Sequence, residues 1–147
     1  MSAIMSQPSI PQAPGYGTPI NLETARKVAA AALAEGKKNG WTVAVAIVDP
    51  AGELVYFERM DDTQIASAQI CQDKARTAAR FKRPSKAFEE VLAGGRLAIL
   101  GMNGVTPLEG GIPLIVGGKI IGAIGVSGVT SQQDGVCAQA GVDVLGK

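Results

Sequence analysis

The sequence predicts an α+β fold, a mainly antiparallel sheet with helices packed on it. Three observations lead there. Two pairs of β-forming runs are joined by short turns, 41–49 with 53–60 and 112–116 with 119–126. Helix-periodic segments lie before, between and after these hairpins. The chain has 147 residues, 46% hydrophobic and only 4% aromatic. That is the length of one domain, with an aliphatic core large enough to need neither metal nor disulfide.

Residues 1–20, rich in proline and small polar residues, predict an extended arm, loose or laid on a neighbouring subunit. They hold neither the basic nor the apolar region of a signal peptide. Residues 21–147 form the single domain. Asn21 suits the N-cap of a helix in which Leu22, Ala25, Val28, Ala29, Ala32 and Leu33 recur at helical spacing. Lys37 and Lys38 favour its C-terminal end, and Gly40 stops it. Residues 41–49 are β-branched and almost continuously apolar, as in a strand covered on both faces. Pro50-Ala51-Gly52 turns the chain, and 53–60 return as the second strand.

Asp61 or Asp62 then caps a second helix over 63–81, with small residues at Ala66, Ser67, Ala68 and Ala75 for close approach to a sheet. Arg83-Pro84 breaks it, because the residue before proline avoids the α region. A short third helix spans 85–92, followed by glycine-rich 93–104. Gly117-Gly118 closes the second hairpin. Thr130 or Ser131 opens a last helix whose apolar contacts are Val136, Ala140, Val142 and Val144.

Composition excludes several functions. A net charge of +1 supplies no global field for nucleic acid or an anionic membrane. The chain has no histidine, which removes a Ser-His-Asp triad and an imidazole zinc site. No metal site is expected. Cys71 and Cys137 have no CxxC partner and read as two reduced, buried thiols of a cytoplasmic protein. No run reaches the ~18–20 apolar residues of a membrane span. Gly125-Val126-Ser127-Gly128 lacks the G-x-S-x-G spacing of a nucleophile elbow.

The candidate chemistry lies in three places. Glu109-Gly110-Gly111 precedes a strand. Either the glycines make a turn beside a solvated Glu109, or their N–H groups form a nest for an anion with Glu109 as general acid or base. Arg59, at a strand end, either meets a ligand carboxylate or pairs with a neighbouring acid, while Asp61 and Asp62 satisfy the next helix end. The basic run Lys74, Arg76, Arg80, Lys82, Arg83 and Lys86 reads as a solvated or subunit-interface face, with Arg76, Arg80 and Arg83 at helical spacing. Lys74 differs, since it shares a side with Ser67 and Thr77, points inward and needs a partner, for which Glu109 is a candidate.

Four motifs in order resemble one family: AVAIVDPAGELVYFERMD, KARTA from Lys74 to Ala78, GGIPL from Gly110 to Leu114, and IGAIGVSG from Ile121 to Gly128. Together they are similar to the GlcG/HbpS-like family, which includes the C-terminal domain of PduO-type proteins. The resemblance implies a profilin-like sheet of about five antiparallel strands flanked by helices, a homo-oligomer, and in some members haem binding. The positions that match are Arg59, Met60, Asp61, Lys74, Thr77, Gly110, Gly111 and Pro113, with Glu109 just before them.

Two functional readings follow. One is a cytoplasmic oligomer that binds a small anionic molecule, haem or another tetrapyrrole among the candidates, through Arg59, Asp61, Lys74, Thr77, Gly110, Gly111 and Pro113. No cofactor is required. With no histidine, an axial iron ligand would come from residues such as Tyr16, Tyr56, Met60, Met102 or Cys71. The other reading is a cofactor-free isomerase, hydratase or dehalogenase acting on a small carboxylate. Glu109 would then be general acid or base and Lys74 its charge partner.

Overall fold

A computed structural model describes residues 13–146. A two-residue strand, β1 (Gly15–Tyr16), leads into helix α1 (Leu22–Asn39). The helix begins where Asn21 Oδ1 accepts the Thr24 N–H at 2.8 Å, and it ends at Gly40, left-handed at φ 75°. The first hairpin is β2 (Ala44–Val48) and β3 (Leu54–Arg59). Helices α2 (Ser67–Phe81) and α3 (Lys86–Ala93) and a 3-10 turn (Leu97–Gly101) follow. The second hairpin is β4 (Gly111–Val116) and β5 (Lys119–Ser127), and α4 (Ser131–Asp143) ends the fold.

The sheet centres on β5. It pairs antiparallel with β4 and β2, β2 pairs antiparallel with β3, and β1 lies parallel to the start of β5. Only that short parallel contact departs from an antiparallel sheet. Alternation along β2 separates two cores. Val45 and Ile47 face α1 and α4, with Val28, Ala29, Ile124, Val126 and Cys137. Ala44, Ala46 and Val48 face α2, with Cys71, Ala75 and Ala78. The α2 side is built of alanine because the helix axis lies close to the strands. A Cβ on Gly125 would strike the Cys71 carbonyl oxygen.

Several expectations are corrected. Neither Asp61 nor Asp62 caps α2. The helix begins at Ser67, and Asp62 sits in a turn at φ 67°. A 3-10 turn precedes it, with Ser67 N–H bonded to Gln64 O and Ala68 N–H to Ile65 O. Lys82, left-handed at φ 56°, ends α2 and turns Arg83 away from the face of Arg76 and Arg80. Those two side chains lie over the β2–β3 turn, where Arg80 Nε donates to Ala51 O at 2.7 Å. On α4 the buried face is Asp134, Cys137, Ala138 and Gly141, leaving Val136 and Val144 exposed. Leu22 is also exposed rather than in the core. The end of the expected arm lies on the chain's own sheet: β1 pairs with β5, Ile20 is buried, and Tyr16 Oη donates to Ala79 O at 2.6 Å. Residues 1–12 lie outside the described residues.

Candidate functional site

Where β4 leaves the loop before it, Glu109, Gly110 and Gly111 line a cavity of about 320 Å³ with Pro84, Lys86 and Gly135 among the other walls. That volume is at the lower end for a small-molecule site. Ser85, buried beside the cavity between Pro84 and Lys86, ties the Leu108–Gly111 segment in place. Its Oγ donates to Leu108 O at 2.6 Å and accepts the Gly111 N–H at 2.8 Å, while its own N–H donates to Gly111 O. The Gly111 amide is therefore used internally. Gly110 differs: its carbonyl accepts the Val126 N–H, but its own N–H donates to no group among the described residues.

Glu109 is half-buried. Its backbone N–H donates to Glu89 Oε1 at 2.9 Å, which fixes the residue against α3. Its carboxylate lies on the first turns of α4, so close to Gly135 that a Cβ there would collide with Oε2. Among the described residues it makes no hydrogen bond or ion pair. Lys86 stands at the wall of the cavity, joined to Glu90 at 3.7 Å in an exposed pair that contributes little and opens readily.

Behind Gly110 runs Lys74, 1% exposed. Its Nζ donates to Asp134 Oδ2 at 2.9 Å and to Val126 O at 3.0 Å. The inward-pointing lysine expected from the sequence thus has Asp134 as partner, not Glu109. Burial pushes the Asp134 carboxyl above the ordinary carboxylate range, and the Lys74 ammonium and the N–H groups of Val129 and Gly128 pull against it.

The remaining sequence candidates lie elsewhere. Arg59 is exposed at the end of β3, with β2 and β5 between it and β4, and Asp61 is exposed in the turn that follows. Thr77 is buried and ties down a loop, accepting the Thr106 N–H at 2.9 Å. Pro113 is buried in β4, opposite Ala123. The structure brings together Glu109, Gly110 and Gly111 with Lys74 behind them, and leaves Arg59, Asp61, Thr77 and Pro113 off the cavity. Sequence reasoning missed Ser85, Lys86, Glu89, Asp134 and Gly135. The one available signal was Asp134, the single acid in the first two turns of α4, directly before Gly135.

Of the candidate iron ligands, Cys71 is sealed in the core, with its thiol pushed up to about 12 by burial. Tyr16 Oη is engaged by Ala79 O. The Tyr56 hydroxyl donates to Glu58 at 2.6 Å, a bond that raises its pKa and disfavours the phenolate. Met60 Sδ accepts the Val43 N–H at 3.4 Å. Met102 alone of the five has a side chain with no such engagement among the described residues.

Residues 20–143 match the family model for haem degrading protein HbpS-like. The chain is 44% identical over 108 residues to protein GlcG of Escherichia coli K12, covering 74% of this chain and 81% of that protein. It superposes on a double mutant of Streptomyces reticuli HbpS with a TM-score of 0.82 at 30% identity, over 99% of this chain and 100% of that one. It superposes on PduOC, crystallised as a haem complex, with a TM-score of 0.77 at 26% identity, over 86% of this chain and 94% of that one.

Proposed function

The chain belongs to the HbpS-like family, and from that premise we propose that it is a small-molecule-binding protein whose ligand seats in the Glu109–Gly110 cavity. One observation carries the reading: two residues that line the same small cavity, Glu109 and Gly110, carry a carboxylate and a backbone N–H that are unpartnered among the described residues. Buried or half-buried polar groups are ordinarily satisfied, so a pair left open side by side fits a ligand with one donor and one acceptor. Lys86 at the wall adds a cation. A short hydroxy or oxo acid meets all three, with its carboxylate toward Lys86, its hydroxyl toward Glu109 and a further oxygen toward the Gly110 N–H.

A tetrapyrrole does not fit this cavity. The macrocycle is larger than the space, and the lining side chains include no histidine, cysteine, methionine or tyrosine to ligate iron. The reading also includes self-association in the cytoplasm. Ile65, Leu97 and Leu100 are 82%, 69% and 68% exposed, as surfaces that a second copy covers. Two free thiols suit a reducing compartment, and no described helix is long and apolar enough to cross a membrane.

The test is a thermal-shift and calorimetric screen of short hydroxy and oxo acids. A ligand should raise the Tm of the wild type, and Glu109→Gln or Lys86→Ala should weaken it about tenfold. If every hit binds both variants unchanged, the ligand is not in this cavity. The unpartnered carboxylate also favours a second reading, an acid–base enzyme acting beside the carbonyl of such an acid. Solvent deuterium should then enter the bound ligand in the wild type about 100-fold faster or more than in Glu109→Gln. Equal exchange in the two leaves a binding protein.

A further inference from the structure

The sheet has two edges, and the sequence blunts only one of them. β4 carries Pro113, which has no N–H, and a register break between Leu114 and Ile115, and its Gly111 N–H is taken by Ser85. β3, at the other edge, pairs with β2 alone, and from Tyr56 to Arg59 it has neither proline nor a break in register. Backbone groups of an edge strand alternate between the neighbouring strand and the open side. The phase is set by Met60, whose N–H bonds Val43 O at 3.1 Å. Tyr56 and Glu58 therefore turn their N–H and C=O groups to β2, and Phe57 and Arg59 turn theirs outward.

Side chains of the same strand supply the other half of the site. Tyr56, Glu58 and Met60 face α1 and, with it, line a groove of about 510 Å³. Ala30, Leu33 and Met60 form its apolar floor, with Leu33 and Met60 half-buried. Arg26 and Lys37 stand on the α1 wall, about 16 Å apart along the helix axis. Neither side chain makes an ion pair or a hydrogen bond among the described residues, whereas their neighbours Lys27 and Lys38 pair with Glu23 and Glu35. The acid of the groove, Glu58, is engaged by the Tyr56 hydroxyl at 2.6 Å.

We propose that this groove docks an extended segment of a partner protein, added antiparallel beside β3, with an acidic, an apolar and an acidic side chain at alternate positions. In strand addition the main chain supplies affinity, and pockets for alternate side chains supply specificity. Phe57 and Arg59 offer two N–H and two C=O groups to the added strand. Every second side chain of that strand turns to the α1 face, where the apolar one meets Leu33 and Met60. Residues four apart on a strand are about 13 Å apart, and the long side chains of Arg26 and Lys37 cover the remaining distance to the two acids. A basic segment would meet two like charges there. A second copy is the poorer occupant, because its β3 brings one acid, Glu58, to that face, between Tyr56 and Met60. The inference is independent of the ligand assigned to the Glu109 cavity.

Fluorescence anisotropy tests it with a fluorescein-labelled heptapeptide in which glutamate, valine and glutamate alternate with threonine. The peptide should bind the wild type, and Arg26→Ala and Lys37→Ala should each weaken it about threefold. Arg26→Glu and Lys37→Glu together, both at exposed positions of α1, should weaken it more than about tenfold. Lysine in place of both glutamates of the peptide should remove binding. In an antiparallel addition the threonine amides face β3, so N-methylation of the two central ones should weaken binding at least about tenfold without altering charge. Amide exchange read by NMR should find the Phe57 and Arg59 N–H groups fast in the protein alone and slowed by the peptide, with Tyr56 and Glu58 slow throughout. No binding, equal binding of the lysine or the N-methylated peptide, or unchanged affinity in the charge-reversed variant overturns the site. So does slow exchange at Phe57 and Arg59 before peptide is added, which would assign the edge to a second copy. None of these readouts involves Glu109, whose ligand is read separately by thermal shift.

Discussion

Gly110 holds φ at +135°, and a side chain there would stand 2.6 Å from Val126 O and 2.9 Å from Lys74 Nζ. Both constraints act on one residue, so Gly110→Ala should cost roughly 2–4 kcal/mol in urea unfolding. A cost within experimental error would mean that the passage beside Lys74 is wider than described. A second prediction at this scale concerns the thiols. Burial pushes Cys71 up to about 12 and Cys137 up to about 11, from 9.0 in the unfolded chain. Above pH 9 the unfolded state therefore binds fewer protons than the folded one. The stability these groups contribute is complete below pH 9 and is lost as pH rises toward 11–12, at about 1.4 kcal/mol per pH unit for each thiol. Urea melts between pH 8 and 10.5 should slope downward, and replacing both cysteines by alanine should flatten that slope. An identical slope in the variant would show that other groups set it. The same burial predicts that neither thiol reacts with a disulfide reagent at pH 8 unless the protein unfolds.

Among the elements, α4 is bounded by a full capping box: Thr130 Oγ1 accepts the Gln133 N–H at 3.2 Å, and Gln133 Oε1 accepts the Thr130 N–H at 3.3 Å. Thr130→Ala should lower stability by about 1 kcal/mol, and Thr130→Ser should retain most of it. Equal loss in both would point to the methyl group rather than the hydroxyl. Caps of this kind are legible in sequence because donor and acceptor lie three residues apart: Asn21 was readable outright, and Thr130 as one of two candidates with Ser131. The start of α2 was not. Asp61 and Asp62 have the right chemistry for a cap, but the 3-10 turn before Ser67 delays the helix. The hairpins were legible through alternation and glycine turns. The Glu109–Gly110–Gly111 wall was legible for a related reason, since paired glycines before a strand mark a close approach of backbone to something else. What sequence spacing could not supply was which cavity each candidate meets. Arg59 looked like a partner for Gly110 only until the strand order put β2 and β5 between them.

At the scale of the whole molecule, two cores lie on opposite faces of the sheet, and among the described residues one buried ion pair joins the layers. Lys74 leaves α2 on one face, passes Gly110 where β4 begins, and ends between Val126 O and Asp134 of α4 on the other face. The wall of the Glu109 cavity is therefore held from behind, because the same α4 turns carry Asp134 and the Gly135 surface on which Glu109 rests. No sequence pattern announces this pair, since its members are 60 residues apart on different layers. Removing one partner leaves an uncompensated buried charge, so Lys74→Met and Asp134→Leu should each cost about 3–5 kcal/mol. Replacing both removes both desolvation penalties while roughly keeping volume. The double variant should recover most of the loss, less about 1–3 kcal/mol for the Val126 carbonyl left without its donor. Urea melts of the four proteins form a double-mutant cycle, and a coupling energy above about 1 kcal/mol is expected. The single variants should also show faster amide exchange in the first turns of α4 while the α1 core keeps its protection. Strictly additive losses, with α4 exchange unchanged, would show that Lys74 and Asp134 stabilise their own layers separately and do not brace the cavity.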